Sequence, residues 1–137
     1  MPGIAQGKKD ATGLHYFEVQ LCQQNATDAD QFAQVYALID TGTNVTIISL
    51  EIAEQLGIEL TDKALSFSGV GTADVGSVGT ANVCFILQDE NTGDIVKIDQ
   101  EVAVKSSMSN SAILGLDMLS HFDIHMPRGG SVTAAWD

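Results

Sequence analysis

Apolar and polar side chains alternate in several short stretches of the chain, and this alternation predicts strands. Residues 17–21 show the period of two that is typical of a half-buried strand. Residues 32–39 form a second apolar stretch, and residues 81–87 are apolar at nearly every position, which predicts a strand covered on both faces. A turn at residues 91–94 then leads into a strand over residues 95–104, which completes one long hairpin.

The period of the apolar positions changes to that of a helix after Ile48. Ser49 is a typical helix-capping residue, Ile52 and Leu56 lie on one helical face, and Gly57 is a typical helix end. The sequence therefore predicts one short helix at this point.

Shorter elements, separated by polar or glycine-bearing turns, make up the rest of the chain. Residues 64–68 and 112–114 predict strands, residues 116–122 a short helix, and residues 123–126 and 132–136 a final hairpin. Residues 23–31 and 105–111 are polar and predict loops. Many short strands with one or two short helices predict an all-β fold, a small closed β-barrel.

Length and composition indicate one folded domain. Residues 1–14 show little periodicity and are expected to form a loose N-terminal arm, which assigns the domain to residues 15–137. No apolar run reaches membrane-spanning length, and the first residues lack the apolar core of a signal peptide, so a cytoplasmic protein is expected. Cys22 and Cys84 lie in apolar runs and are expected to be reduced core residues, although a disulfide between them stays open.

The chain is strongly acidic, with 18 Asp and Glu residues against 6 Lys and Arg residues and a net charge of −12. Phosphate backbones and anionic lipid surfaces would be repelled, so neither nucleic acid nor a membrane is expected as a partner. The same charge would oppose self-association near neutral pH, and acid or salt would relieve that repulsion.

Asp40 is the most unusual acidic residue, because it directly follows an apolar predicted strand. Thr41 and Thr43 can donate hydrogen bonds to its carboxylate, and Gly42 permits a sharp turn or a close approach of the backbone. A carboxylate in such a setting is a candidate functional group.

Two further motifs follow in order: Gly69-Val70-Gly71-Thr72, and the apolar sequence of residues 112–119 that contains Gly115. Together with Asp40-Thr41-Gly42, this trio resembles the retropepsin-like (retroviral-type) aspartic protease family over residues 17–126. It is most similar to the retropepsin-like domain of the DNA-damage-inducible ubiquitin-shuttle proteins and to bacterial relatives. The resemblance implies a barrel of the acid protease type.

The resemblance also implies an aspartic endopeptidase that hydrolyses peptide bonds in extended protein segments. Carboxylate-based hydrolysis needs two acids, and the sequence contains one Asp-Thr-Gly. Two copies would therefore form a homodimer in which each contributes one Asp40, and monomers would be inactive. In this family Thr41 would bond to the other subunit, and the carbonyl of Gly42 would bond to substrate.

A peptide or protein substrate would lie between the barrel and a mobile flap formed by residues 69–76. The Thr43 hydroxyl would donate to the catalytic carboxylate, and apolar side chains would form the pocket walls. The residues expected to bind substrate are Thr43, Asn44, Ile48, Gly69, Val70, Gly71, Thr72 and Ile113.

No cofactor and no metal site are expected. Residues 89–101 are rich in acids, but Asp94 and Gln100 stand where a calcium loop requires glycine and glutamate. His121 and His125 flank a sequence typical of a strand entry, which makes a shared metal improbable. Asp117 is expected to be structural, as an acid at the N-terminus of a helix.

Two alternatives use the same fold without proteolysis. One is a catalytically weak peptide-binding module, and the other is a dimerisation module. The termini do not match the segments by which retroviral enzymes interleave into a dimer sheet, and the glycine motif lacks the flap tip of those enzymes. The interface segments and the closed flap contacts therefore stay open.

Overall fold

The computed structural model describes residues 2–24, 32–61, 79–106 and 108–137. Over these ranges the chain forms ten strands and two short helices. They are β1 (Gly3–Gln6), β2 (Lys8–Lys9), β3 (His15–Gln23), β4 (Phe32–Ile39), β5 (Ile47–Ser49), α1 (Leu50–Gln55), β6 (Gly79–Gln88), β7 (Ile95–Lys105), β8 (Ala112–Leu114), α2 (Leu116–Leu119), β9 (Asp123–His125) and β10 (Thr133–Trp136).

Six strands close into a barrel in the order β3, β4, β8, β5, β7, β6, and β6 pairs back onto β3. The prediction of a small closed β-barrel with one or two short helices is therefore confirmed. The long hairpin is also confirmed, since β6 and β7 are paired along their length and turn at Gly93, where φ is +80°.

The apolar positions that revealed the strands form the core of the barrel. Phe17, Val19 and Leu21, which alternate along β3, are at most 1% exposed. Strand β6 is buried on both faces as expected, except at Asn82 and at its last residue, Gln88, which are exposed. The alternation in the sequence thus reports which face of each strand points inward.

Both helices lie where the sequence predicts them, although α2 is shorter. The Ser49 hydroxyl accepts a hydrogen bond from the Ile52 N–H at 3.2 Å, and Gly57 follows α1 with φ of +66°. Helix α2 ends at Leu119 instead of residue 122, because the chain tightens into i→i+3 turns there before it enters β9.

The expectation of a loose arm at residues 1–14 is corrected by the pairing of its two short strands. Strand β1 pairs with β10, which pairs with β9 in the predicted final hairpin, and β2 pairs with β3. A Cβ at Gly3 would lie 2.3 Å from the Trp136 ring, so only glycine allows β1 to pass beneath that ring. The periodicity of the arm is weak because its paired segments are only 4 and 2 residues long.

The two cysteines are buried core residues, as predicted, and they are not bridged. Cys22 and Cys84 lie directly opposite each other where β3 closes onto β6. Burial, together with the neighbouring Cys22, raises the pKa of the Cys84 thiol to about 12. A thiol with so high a pKa is a poor nucleophile near neutral pH.

Three predictions lie outside the described residues: the strand at residues 64–68, the flap at residues 69–76, and all but the first two residues of the polar turn at residues 23–31. In the described parts of the chain, no helix is long and apolar enough to cross a membrane.

Asp89 anchors β1 to the barrel. Its Oδ2 accepts a hydrogen bond from the Ile4 N–H at 3.1 Å, and its Oδ1 accepts from the N–H groups of Asn91 and Thr92. These backbone hydrogen bonds, with that of Ile4 the largest contribution, lower the pKa of the Asp89 carboxyl below its usual range. The turn between β6 and β7 therefore also orders the N-terminal strand.

We predict that Asp89→Asn lowers the free energy of unfolding at neutral pH, because the amide nitrogen replaces one carboxylate oxygen and cannot accept the hydrogen bonds made to that oxygen. A lowered pKa in the folded state gives a contribution that is present above the unfolded value and is lost as the pH falls through the folded value. The difference between wild type and variant should therefore be largest above about pH 5 and shrink as the pH falls below the usual range of an aspartate. Urea denaturation across this range measures it, with Glu90→Gln as the exposed control; a difference independent of pH would contradict the prediction.

Candidate active site

Asp40 lies at the point where β4 ends and the chain crosses over β8. Strand β8 is inserted between β4 and β5, parallel to β4 and antiparallel to β5. The segment of residues 40–46, here called the Asp40 loop, joins β4 to β5 and must therefore pass over the end of β8. The Asp40 N–H continues the strand pairing by donating to the Leu114 carbonyl at 3.1 Å.

Asp40 is partly exposed, and each oxygen of its carboxylate accepts a hydrogen bond from a group in its own loop. The Gly42 N–H donates to Oδ1 at 2.9 Å, and the Thr43 hydroxyl donates to Oδ2 at 2.9 Å. The Thr43 N–H also donates to the Asp40 carbonyl at 3.3 Å. These bonds fix the orientation of the carboxylate while its outer side stays open to solvent.

The other predicted residues of the loop differ in exposure. Thr41, Gly42 and Asn44 are exposed, whereas Thr43 is completely buried and reaches Asp40 from beneath. The predicted binding residues Gly69, Val70, Gly71 and Thr72 lie outside the described residues.

An apolar row runs across the barrel wall next to Asp40. Leu38, two residues before Asp40 and therefore on the same side of β4, is in register with Ile113 of β8, which faces Ile47 of β5. These residues form an apolar cluster with Ala103 that is separate from the main core. Ile113, a predicted pocket residue, is thus paired with the residue two positions before Asp40.

Ile48, which was expected to bind substrate, does not belong to this row. Its side chain packs in the main core, on the opposite side of β5 from Ile47, and both isoleucines are completely buried. Two adjacent isoleucines give no alternation signal, so the sequence did not reveal which of them faces the row.

Asp117 is held beneath the Asp40 loop by hydrogen bonds to both of its oxygens. Its Oδ1 accepts hydrogen bonds from the N–H and the hydroxyl of Thr46 at 3.0 and 2.6 Å. Gln100, a polar residue within β7 that gave no signal in the sequence, donates to Oδ2 at 3.1 Å. Only the register of the strands brings Gln100 to this position.

Gly115 lets the turn after β8 lie close to the backbone of the Asp40 loop. A Cβ at Gly115 would lie 2.7 Å from the carbonyl carbon of Val45 and 2.9 Å from the Thr43 carbonyl oxygen. The Asp40 loop can therefore rest on the turn after β8 only because this residue has no side chain.

Within the described ranges, no group of three or more His, Cys, Asp or Glu side chains could hold a metal ion. The chemistry available at Asp40 is that of a partly exposed, oriented carboxylate beside exposed backbone groups and an apolar row.

Comparisons with known proteins place this geometry in context. The family model described as "gag-polyprotein putative aspartyl protease" matches residues 29–121. The crystal structure of a retropepsin-like aspartic protease from Rickettsia conorii matches with a TM-score of 0.68 and 13% identity, over 99% of this chain and 93% of that chain. A search of curated proteins found no significant match.

Two further structures are similar over most of this chain. Basic 7S globulin from soybean has a TM-score of 0.59 and 12% identity, and the match covers 98% of this chain but 49% of that one. The retroviral protease-like domain of Ddi1 from Leishmania major has a TM-score of 0.49 and 16% identity, over 84% of this chain and 91% of that one. At these identities the likeness to the Rickettsia and soybean proteins establishes the fold.

We predict that Gly115→Ala lowers the free energy of unfolding by about 1–3 kcal/mol, because the added methyl group would overlap the backbone of the Asp40 loop. Gly115 has φ of −91°, which alanine adopts without strain, so the cost comes from packing alone. Gly129→Ala is the matched control, since a Cβ there meets nothing within 4 Å. Urea denaturation of both variants measures the effect, and equal stabilities would refute the contact.

Proposed function

Because the chain belongs to the gag-polyprotein aspartyl protease family and has the retropepsin-like fold, we propose that it is an aspartic endopeptidase that acts as a homodimer on extended protein segments. The observation that carries the proposal is the Asp40 carboxylate, held by two donors of its own loop and open to solvent.

Hydrolysis by carboxyl groups needs two of them. One is ionised and takes a proton from the attacking water, and the other is protonated and donates a hydrogen bond to the scissile carbonyl. The chain carries one Asp-Thr-Gly, and its fold corresponds to about half of the soybean globulin chain. A second copy, related by a twofold axis, would supply the second Asp40.

The exposed part of the Asp40 loop suits this arrangement. Thr41 would hydrogen-bond to the partner copy and hold the two loops together. The Gly42 N–H is already used by Asp40, so its carbonyl is the group left to bind the substrate backbone. Asn44 and the glycine motif of residues 69–72 would bind the extended peptide on either side, as in strand addition.

The apolar row beside Asp40 would set the preference of the enzyme for apolar side chains. Ile113 would contact the substrate at the wall of the row, and the buried Ile47, in place of Ile48, would support that wall from behind. Pocket walls of this kind discriminate between apolar side chains of different size only modestly, by about 10- to 200-fold per methylene.

An acidic medium would favour the enzyme in two ways. Two carboxyl groups about 3 Å apart share one proton, and the pair is inactive once that proton is lost. Protonation of surface acids also reduces the net charge of −12, which opposes the meeting of two chains.

We predict that Asp40→Asn abolishes peptide cleavage, with a loss of about 10³-fold or more, because the dyad works as a unit. The wild type and the variant are compared on a mixed peptide library from about pH 3.5 to 7, where coupled carboxyl groups titrate. Asp123→Asn is the matched control, since Asp123 is an exposed acid on β9.

Cleavage that survives in Asp40→Asn would refute the assignment. Peptide binding without cleavage by the wild type would instead indicate the peptide-binding module.

Leu116 offers a test of the dimer that is separate from the chemistry. It is 48% exposed, and its N–H donates to the Thr43 carbonyl at 2.8 Å, so an apolar side chain stands at the surface directly beside the Asp40 loop. Two copies that join their Asp40 loops would bury Leu116 between them.

We predict that Leu116→Asp weakens the dimer by about 10- to 100-fold, because burial of a leucine contributes about 1.5–3 kcal/mol. Analytical ultracentrifugation should show the higher dissociation constant, and activity should return at high protein concentration. Ile95→Asp is the control, because Ile95 is 45% exposed at the start of β7, whereas the strand that follows the Asp40 loop pairs with the other end of β7. Equal dissociation constants for the two variants would exclude Leu116 from the interface.

A further inference from the structure

The Asp117 side chain lies beneath the Asp40 loop and is held by several hydrogen bonds. Its carboxylate accepts four hydrogen bonds, from the Thr46 N–H at 3.0 Å, the Thr46 hydroxyl at 2.6 Å, the Met118 N–H at 2.7 Å and the Gln100 side-chain amide at 3.1 Å. These donors belong to the end of the Asp40 loop, to α2 and to β7.

The two oxygens of Asp117 have different functions. Oδ1 accepts the three bonds from Thr46 and Met118 and thereby joins the Asp40 loop to α2. Among the described residues, Oδ2 accepts from Gln100 alone, and this bond fixes the rotation of the carboxylate.

The Thr46 hydroxyl is engaged on both sides. It donates to Asp117 and accepts a hydrogen bond from the buried Gly115 N–H at 3.1 Å, and Thr46 itself is completely buried. Loss of the Asp117 carboxylate would therefore leave the hydroxyl and the N–H of Thr46 without an acceptor, which is costly in a protein interior.

The turn after β8 holds the earlier part of the loop through its backbone. The Leu116 N–H donates to the Thr43 carbonyl at 2.8 Å, and the Asp117 N–H donates to the Asn44 carbonyl at 3.3 Å. The Asp117 side chain then holds Thr46, so one residue fixes two points of the segment that carries Asp40.

We infer that Asp117 is a positioning residue for the reaction at Asp40, that it acts through Thr46, and that Gln100 orients its carboxylate. This inference rests on the proposed function of Asp40. Its effect is geometric, since misplacement of a reacting group by about 1 Å costs on the order of 10²-fold in rate.

The hydrogen-bond pattern distinguishes this role from one that depends on charge. An asparagine at position 117 can place its Oδ1 where the carboxylate Oδ1 lies and keep the three bonds from Thr46 and Met118. Its NH₂ group would face Gln100, whose amide can turn to present its oxygen. The amide should therefore replace the acid, whereas alanine should not.

The test compares the kinetics of Asp117→Ala and Asp117→Asn in the dimeric protein. We expect Asp117→Ala to lower kcat by about 10- to 100-fold with KM changed by less than about 3-fold, and Asp117→Asn to stay within about 3-fold of the wild type. Asp123→Ala is the matched control for removal of an acid. All rates are measured well below the unfolding temperature of each variant.

Hydrogen exchange gives a measurement that does not depend on cleavage. The amides of Thr43 and Thr46, followed by NMR, should exchange at least about tenfold faster in Asp117→Ala and at the wild-type rate in Asp117→Asn. Gln100→Met removes only the donor to Oδ2; it should lower kcat about 3- to 10-fold, and it provides the test if Asp117→Ala does not fold.

Unchanged exchange of these amides in Asp117→Ala, or a wild-type kcat in that variant, would overturn the inference. The same holds if Asp117→Asn is as impaired as Asp117→Ala, or if Gln100→Met behaves as the wild type when Asp117→Ala does not fold. A wild type that cleaves nothing would refute the proposed function, while the exchange rates would still decide whether Asp117 holds the loop.

Discussion

The structure depends on the insertion of β8 between β4 and β5, two strands that one loop connects. That loop must pass over the end of β8, and its backbone groups need partners where it does so. The turn after β8 supplies them, because its N–H groups bond to the loop carbonyls and Gly115 lets the two backbones touch. The position of Asp40 is therefore set first by strand order, and the Asp117 side chain then holds the loop through Thr46.

In this arrangement, different residues orient the carboxylate and hold the loop. Thr43 and Gly42 orient the Asp40 carboxylate from within the loop, while Thr46 and Asp117 hold the loop from below. The groups that would meet a substrate or a partner are on the surface, whereas Thr43 and Thr46 are completely buried and Asp117 is partly buried. A rigid support of buried hydrogen bonds is what keeps an exposed carboxylate in one orientation.

Sequence patterns were sufficient for every barrel strand except the three-residue β5, and they singled out Asp40 as the candidate carboxylate, because alternation, helix capping and the apolar strand before Asp40 are local signals. They failed where the answer depended on register or on distant pairing. Ile47 and Ile48 are chemically identical, so only the pairing of β5 with β8 shows which one faces the row. Gln100 comes near Asp117 only through the fold of β7, and the short strand β1 was missed because its partner β10 lies at the other end of the chain.

The pairing of β1 with β10 also bears on how two copies can meet. Both strands are already used within one chain, where they form a sheet with β9, so a dimer built by exchange of these strands would first have to break that sheet. The Asp40 loop and the exposed Leu116 beside it require no such rearrangement. A dimer held mainly there would be small and would bring two chains of charge −12 together, so its stability should depend strongly on pH and salt. A fall in pH would then favour assembly, and with it the pairing of the two Asp40 side chains, and the same fall in pH would keep one carboxyl group of the pair protonated.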